Sequence, residues 1–329
     1  MPLILHLGAV DLTRCRFAIS PLCQTHEALR MLRRPARHGY HHAWLRRLRR
    51  TLAGLDLSPL WLFVSRVGGY TPDFLGAPPD EPYPSIDDEL ARMRATDPAL
   101  ARVEMVRSLA GTPGLAESPQ GRAALDDPAQ AVRRLADLTE LAWHALIAPD
   151  WPRHRAVLAA DIAHRSREAA DGGLDALLTG LHPGIDWTGQ ALTLRMYRDL
   201  ADVQRADGRG ILLMPSVFVW PDVVSGFARP WQPTVIYPAR GMGRLHTAPP
   251  PRPPEALARL LGHQRAAVLA GLTAPASTTE LARRHGLAPS TVSAHLTALR
   301  ETGLLASRRQ GYYVLYSRTA LGDALARGD

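Results

Sequence analysis

The sequence predicts an α+β chain, mostly helical, with an N-terminal helical domain, a small late sheet and a compact C-terminal module. Three observations carry that reading. Apolar residues recur at helical spacing through most of residues 20–170. Alternation sets in only later, at Leu192, Leu194 and Met196, followed by β-prone runs at residues 211–220 and 234–237. Eight prolines then fall within residues 230–254, and such a stretch propagates neither helix nor sheet. The expected layout is a helical or α+β domain over residues 1–245, for dimerisation or effector binding. A Pro-rich linker over 246–254 and a module over 255–329 complete it.

The helices are expected in order. Ser20-Pro21 pairs an N-cap with a proline at the first helical position and opens a helix through about residue 33. Residues 40–55 set Trp44, Leu45, Leu48, Leu52 and Leu55 on one face, with Arg46, Arg47, Arg49 and Arg50 mostly on others. With His38, His41 and His42 just before it, this run reads as the wet face of an amphipathic helix or as a contact for phosphate. Residues 66–85, rich in Gly and Pro, read as loop. Residues 87–109, 128–147 and 152–170 read as helices. Pro215 inside the second β-prone run argues for an edge strand or a bulge.

Composition narrows the function classes. Of 329 residues 46% are hydrophobic and 21% charged, which excludes a wholly disordered chain. No apolar run reaches the ~18 residues of a membrane span, so no membrane partner is expected. The N-terminus lacks the basic and apolar regions of a signal peptide, and Cys15 and Cys23 build no disulfide framework. A cytoplasmic protein is expected. The formal charge is +8, and every one of the 39 basic residues is Arg. Residues 1–80 carry +6, residues 81–254 carry −2 and residues 255–329 carry +4, so basic ends invite a polyanion.

Signals for chemistry in the first 245 residues are sparse. Cys15, Cys23 and His26 read as a thiol or metal switch, or as plain buried residues. Asp161 and His164 at i, i+3, with His154 before them, read as surface polarity, and no metal site is expected. Serine-hydrolase, phosphate-loop, zinc-protease and dinucleotide-binding motifs are all missing, so neither an enzyme nor a cofactor is expected. Seven Trp and eight Tyr, mostly upstream of the linker, offer walls for a small organic effector. An enzyme or cofactor-binding protein within residues 1–229 remains the alternative.

The last 75 residues carry the densest signals. Residues 255–269 form an amphipathic pattern through Leu257, Leu260, Leu261, Val268 and Leu269. Ser277-Thr-Thr-Glu280 is a capping box opening a short helix to His285, with Gly286 at its left-handed end. Pro289 starts another helix, with Val292, Leu296 and Leu299 on one face. Gly303 ends that helix, residues 304–308 and 312–318 read as strands, and Arg309-Gln310-Gly311 reads as their turn. Two helices across a tight turn, followed by a basic hairpin, make a winged helix-turn-helix.

Leu281-Ala282, Thr291-Val292-Ser293-Ala294-His295-Leu296, Leu299-Arg300, Gly303-Leu304 and Ser307-Arg308-Arg309-Gln310-Gly311 carry a resemblance to the ArsR-type winged-helix repressors. The whole chain also resembles a larger group of bacterial ArsR-like regulators bearing this module behind a long N-terminal domain of unassigned function. The resemblance implies a homodimer on a pseudo-palindromic operator, a repressor released by a ligand. Metal-sensing members carry a Cys-x-Cys pair near the recognition helix, or Asp and His on a C-terminal helix. This module has no Cys, and its last helix over 321–327 is too short for the second arrangement.

The expected DNA face follows from the helical wheel. Ser290, Thr291, Ser293, Ala294 and Thr297 point away from the apolar stripe and suit the major groove, where Ala294 packs on a thymine methyl. His295 lies at the edge of that face. Ser277 and Thr278 bring helix N-terminal N–H groups to the phosphates. Arg308, Arg309 and Gln310 on the wing, with Tyr312 beside them, are expected at phosphates or the minor groove. The rival is a winged helix used for protein partners or nonspecific nucleoid binding.

Overall fold

The computed structural model describes residues 2–35, 38, 41–64, 69–196, 202–245, 253–285, 287–310 and 313–327. Two compact units account for it, residues 1–34 with 48–240 and residues 35–47 with 241–329. Linker residues 246–252 lie outside the described residues. The α+β class stands, with helices dominating the first unit and small sheets completing it.

The first unit opens with β1 (Leu3–His6), α1 (Ala9–Thr13), β2 (Arg16–Phe17) and α2 (Pro21–Leu32). Helix α3 (His42–Ala53) crosses the division between the units, and α4 (Ser58–Phe63) follows. After a 3-10 turn at Asp73–Gly76 come α5 (Ile86–Arg94), α6 (Pro98–Leu109), α7 (Pro119–Asp126), α8 (Pro128–Ala142) and α9 (Trp151–Gly180). A π-helical turn, Trp143–Ile147, extends α8. The remaining strands are β3 (Ile185–Trp187), β4 (Ala191–Leu194), β5 (Asp202–Arg205), β6 (Leu212–Ser216), β7 (Val224–Gly226) and β8 (Thr234–Pro238).

One local device starts many of these helices: a short polar N-cap followed by proline. Ser20 Oγ accepts from the Cys23 N–H at 2.8 Å, Asp97 from Ala99, Ser118 from Gly121 and Asp127 from Gln130. The same device corrects the single helix expected over 87–109. Asp97-Pro98 ends one helix and opens the next, because proline crowds the preceding residue out of helical conformation. The helix expected over 152–170 runs on to Gly180, with a break at Gly173, whose φ is +71°.

Two four-stranded sheets follow the orders β3-β4-β1-β5 and β2-β6-β8-β7. Early strands thus complete the late ones: β1 lies antiparallel to β4 and parallel to β5, and β2 lies parallel to β6. Pro215 pairs with Tyr237 of β8, while β2 reaches only Leu212 and Leu213 on the other side. The proline therefore sits where its strand has become an edge, and its missing N–H costs the ladder nothing. Leu3, Leu5, Leu192, Leu194, Leu213, Val235 and Tyr237 pack into the sheet core with Leu177 and Leu178 of α9.

Asp161 and His154, expected at the surface, are buried. Asp161 accepts from Tyr237 OH at 2.8 Å and from the Arg240 N–H at 2.9 Å, and burial pushes its carboxyl up from the usual range. His154 packs edge-on against Phe218. Helix α9 turns both inward, two turns apart on one face, whereas His164 stays half-exposed beside Glu168 at 3.0 Å.

Candidate nucleic-acid interface

The second unit includes α10 (Glu255–Leu261), α11 (His263–Gly271), β9 (Ala276–Ser277), α12 (Thr278–His285), α13 (Pro289–Glu301), β10 (Leu305–Gln310), β11 (Tyr313–Arg318) and α14 (Ala320–Arg327). The one amphipathic helix expected over 255–269 is two. Gly262, at φ +81°, breaks it between α10 and α11, a conformation that suits a residue without Cβ.

Val292, Leu296 and Leu299 are the stripe that holds α13, each at most 1% exposed. They join Ala266, Leu269, Leu281, Leu304, Leu305 and Tyr316 in one core. At about 1.5–3 kcal/mol for each large aliphatic side chain, that stripe fixes which face of α13 looks outward. Gly303, at φ +74°, ends the helix. Its N–H reaches the Arg300 carbonyl and the Leu304 N–H reaches back to Leu299, both at 2.9 Å, so the chain leaves directly into the hairpin.

The outward face of α13 is small and hydroxylated. Ser290, Ser293 and Ala294 are exposed, and Thr291 and Thr297 are half-buried. The first turn has no side-chain cap: Ala288 precedes it, and Pro289 stands at its first position. The Ser290 and Thr291 N–H groups therefore sit at a helix N-terminus whose dipole favours anions. His295 is half-buried, its Nε2 3.4 Å from Gln264 Oε1 of α11. Burial and the nearby Arg265 both lower its pKa, favouring the neutral ring. That α11 pair went unread in the sequence, since only the fold brings Gln264 and Arg265 beside the recognition helix.

The first strand of the hairpin runs two residues further than expected. Arg309 pairs with Val314 and Gln310 with Tyr313, so both lie in the ladder. Extended strands continue past the basic pair because nothing at Arg309 requires a turn conformation, while Gly311 follows. Arg308 and Arg309 are exposed, and Arg308 Nη2 donates to Gln310 Oε1 at 3.2 Å. Gly286, Gly311 and Tyr312 lie outside the described residues.

Ser277 is buried and does structural work twice. Its backbone pairs with Leu315 as part of β9, and its Oγ accepts from the Glu280 N–H at 3.3 Å. Thr278, half-buried, begins α12. The Glu280 carboxylate takes a bond from Arg284 at 2.7 Å, and Arg284 also donates to the Gly271 carbonyl. Arg318 pairs with Asp323 at 2.9 Å. Those two arginines brace the module, whereas Arg300, Arg308 and Arg309 lie on its surface.

Among the described residues no group of three or more His, Cys, Asp or Glu is placed to hold a metal ion. Both cysteines are free thiols, and burial pushes the Cys15 pKa up to about 11 and raises that of Cys23 as well. Such thiols stay protonated and unreactive at neutral pH. No helix among the described residues is long and apolar enough to cross a membrane.

Two family models match the chain. One, described as a helix-turn-helix domain, covers residues 264–308, the span from α11 into the wing. The other, described as a family of unknown function (DUF5937), covers residues 87–243. No curated protein and no solved structure matches. The helix order and the basic hairpin agree with the first match: the chain carries an ArsR-type helix-turn-helix domain behind a domain of unknown function, which supports a DNA-binding transcription regulator.

Proposed function

We propose that the protein is a homodimeric, cytoplasmic repressor that binds a pseudo-palindromic operator and releases it when the N-terminal domain takes up a small ligand. The observation that carries this reading is the outward face of α13. An uncapped, proline-started first turn leads into Ser290, Ser293 and Ala294, all exposed, with the exposed Arg308 and Arg309 on the adjoining hairpin. The helix N-terminus and the arginines supply phosphate contacts, which hold position but carry no sequence. Ser293 and Ala294 reach base edges, and short side chains there leave part of the discrimination to DNA shape. The domain ahead of the module senses rather than catalyses.

Fluorescence anisotropy on the chain's own upstream intergenic DNA against scrambled DNA, across a salt series, tests the proposal. A preference on the order of a thousandfold with a steep salt dependence supports a specific operator. Equal, weak binding to both sequences, together with no enriched site in a random-sequence selection, rejects it and points to a protein partner or nonspecific nucleoid binding. Sedimentation of the complex at two protein subunits per site tests the dimer.

A further inference from the structure

The first unit contains a cavity walled by one face of α2, by residues 70–76, by β5 and by the end of β7. About 770 Å³ there is unfilled by atoms, part of it open to solvent, and about 70 Å³ admits the centres of water molecules. That is several times the ~10–15 Å³ one water needs, which suits a small organic molecule. Helix α2 contributes Cys23, His26, Glu27 and Arg30, at i, i+3, i+4 and i+7 along one face.

His26 is 6% exposed, and its Nε2 is buried with no hydrogen-bond partner. Burial, aided by Arg30, drives its pKa down to about 3, so the ring is neutral, with one nitrogen that accepts and one that donates. A buried polar atom without a partner costs free energy that a bound donor or acceptor recovers.

The charges on the wall indicate which ligand. Three carboxyl groups, Glu27, Asp73 and Asp202, face two guanidiniums, Arg30 and Arg107. Both cations are already engaged. Arg30 lies 3.7 Å from Glu27 and donates to Thr71 Oγ1 at 3.0 Å, and the Arg107 guanidinium stacks 4.1 Å from the Tyr70 ring centre. Asp73 and Asp202 keep acceptor capacity: Asp73 accepts from Tyr70 OH and Asp202 from Gln204 Nε2, both at 3.0 Å, and a carboxylate has room for further donors. Burial and Glu104 push Asp73 up to about 7, against the bonds from Tyr70 and the Ala228 N–H and the charge of Arg107. A nearby cation would relieve that cost. Leu3, Met196, Phe227 and Ile236 supply apolar surface, and Phe227 holds φ +64°, a strained conformation for an aromatic residue.

We propose that this cavity is the effector site, and that it takes a small organic amine whose apolar body fits the aliphatic wall, whose ammonium answers the carboxylate excess and whose N–H donor His26 accepts. The inference rests on the ligand-responsive repressor reading above. Benzylamine, benzyl alcohol and phenylacetate, matched in shape and differing in charge, probe it by calorimetric titration into the full-length protein at pH 7.5. Benzylamine is expected to bind with a Kd on the order of a millimolar, at least tenfold tighter than phenylacetate. His26→Leu and Asp202→Asn should each weaken it at least fivefold, and half-buried Asp202 makes the second variant safe for folding. Failure of benzylamine to bind, binding of phenylacetate equally well, or unchanged affinity in a folded Asp202→Asn overturns the site. Anisotropy on operator DNA separates the two readings. Specific DNA binding without amine binding rejects the cavity and leaves the regulator intact. Amine binding that shifts DNA affinity less than threefold rejects the effector role.

Discussion

Gly322 lies against the Leu304 carbonyl oxygen so closely that a Cβ built on it would overlap that oxygen. Thr319 Oγ1 accepts from the Gly322 N–H at 3.2 Å and donates to the Gly303 carbonyl at 2.7 Å. The start of α14 is therefore tied to the chain reversal that ends α13. Gly322→Ala should destabilise the C-terminal module by about 1–3 kcal/mol, since backbone has to move aside. Urea unfolding followed by circular dichroism checks this, and an unchanged midpoint would show that α14 docks differently.

Ser293 is exposed midway along α13. Ser293→Tyr overfills the outward face without touching the Val292, Leu296 and Leu299 stripe. Specific operator binding should fall at least a hundredfold while the melting temperature stays within about 2 °C. Retained operator affinity in that variant would move the docking face off α13.

Arg308→Ala together with Arg309→Ala removes two charges per subunit from the hairpin. Affinity for operator and for random DNA should drop by similar factors, because phosphate contacts carry no sequence. If the protein binds as a dimer and about three phosphates are neutralised per subunit, the log–log salt slope is roughly −5, and that of the double variant is shallower. Identical slopes would take the wing out of the interface.

Two buried groups in the first unit make stability respond to pH with opposite signs. His26 titrates near 3 in the folded chain against 6.5 unperturbed, so the stability it allows is complete above pH 6.5 and is lost as pH falls toward 3. Glu89 accepts from Ser20 Oγ at 2.6 Å and from the Leu22 N–H at 2.8 Å, yet burial pushes it up to about 7 from 4.5. The folded chain then holds a proton the unfolded chain has released, and stability declines as pH rises from 4.5 to 7. Relative to wild type, His26→Leu should gain about 1 kcal/mol between pH 6.5 and 5.5, while Glu89→Gln gains as pH rises from 5 to 7. Parallel stability curves for wild type and both variants would refute the assignment.

Legibility differed sharply between the two ends of the chain. The C-terminal module was readable because its signals are local: the capping serine, Pro289, the i, i+4, i+7 stripe of α13 and Gly303 all lie within a few residues of what they control. Its errors were local too, at Gly262 and at the two residues by which the wing outlasts its expected strand. β1 and β2 were not readable, because their partners in β4 and β6 lie 185 to 196 residues away and a four- or two-residue strand has too little pattern to stand out. The polar face of α9 misled for the same reason, since Asp161 looks like a surface residue until Tyr237 and Arg240 arrive from β8 and its exit. The cavity wall follows suit: the spacing of Cys23, His26, Glu27 and Arg30 is visible on α2, but what faces it comes from residues 70–76 and 202–228.

Ser277 belongs at once to the ladder with Leu315 and to the first turn of α12. The two-residue strand leaves no slack between the ladder and the helix that follows it. Hairpin and α12 are therefore joined through a single serine, and a substitution at Ser277 would loosen the ladder and the helix start together.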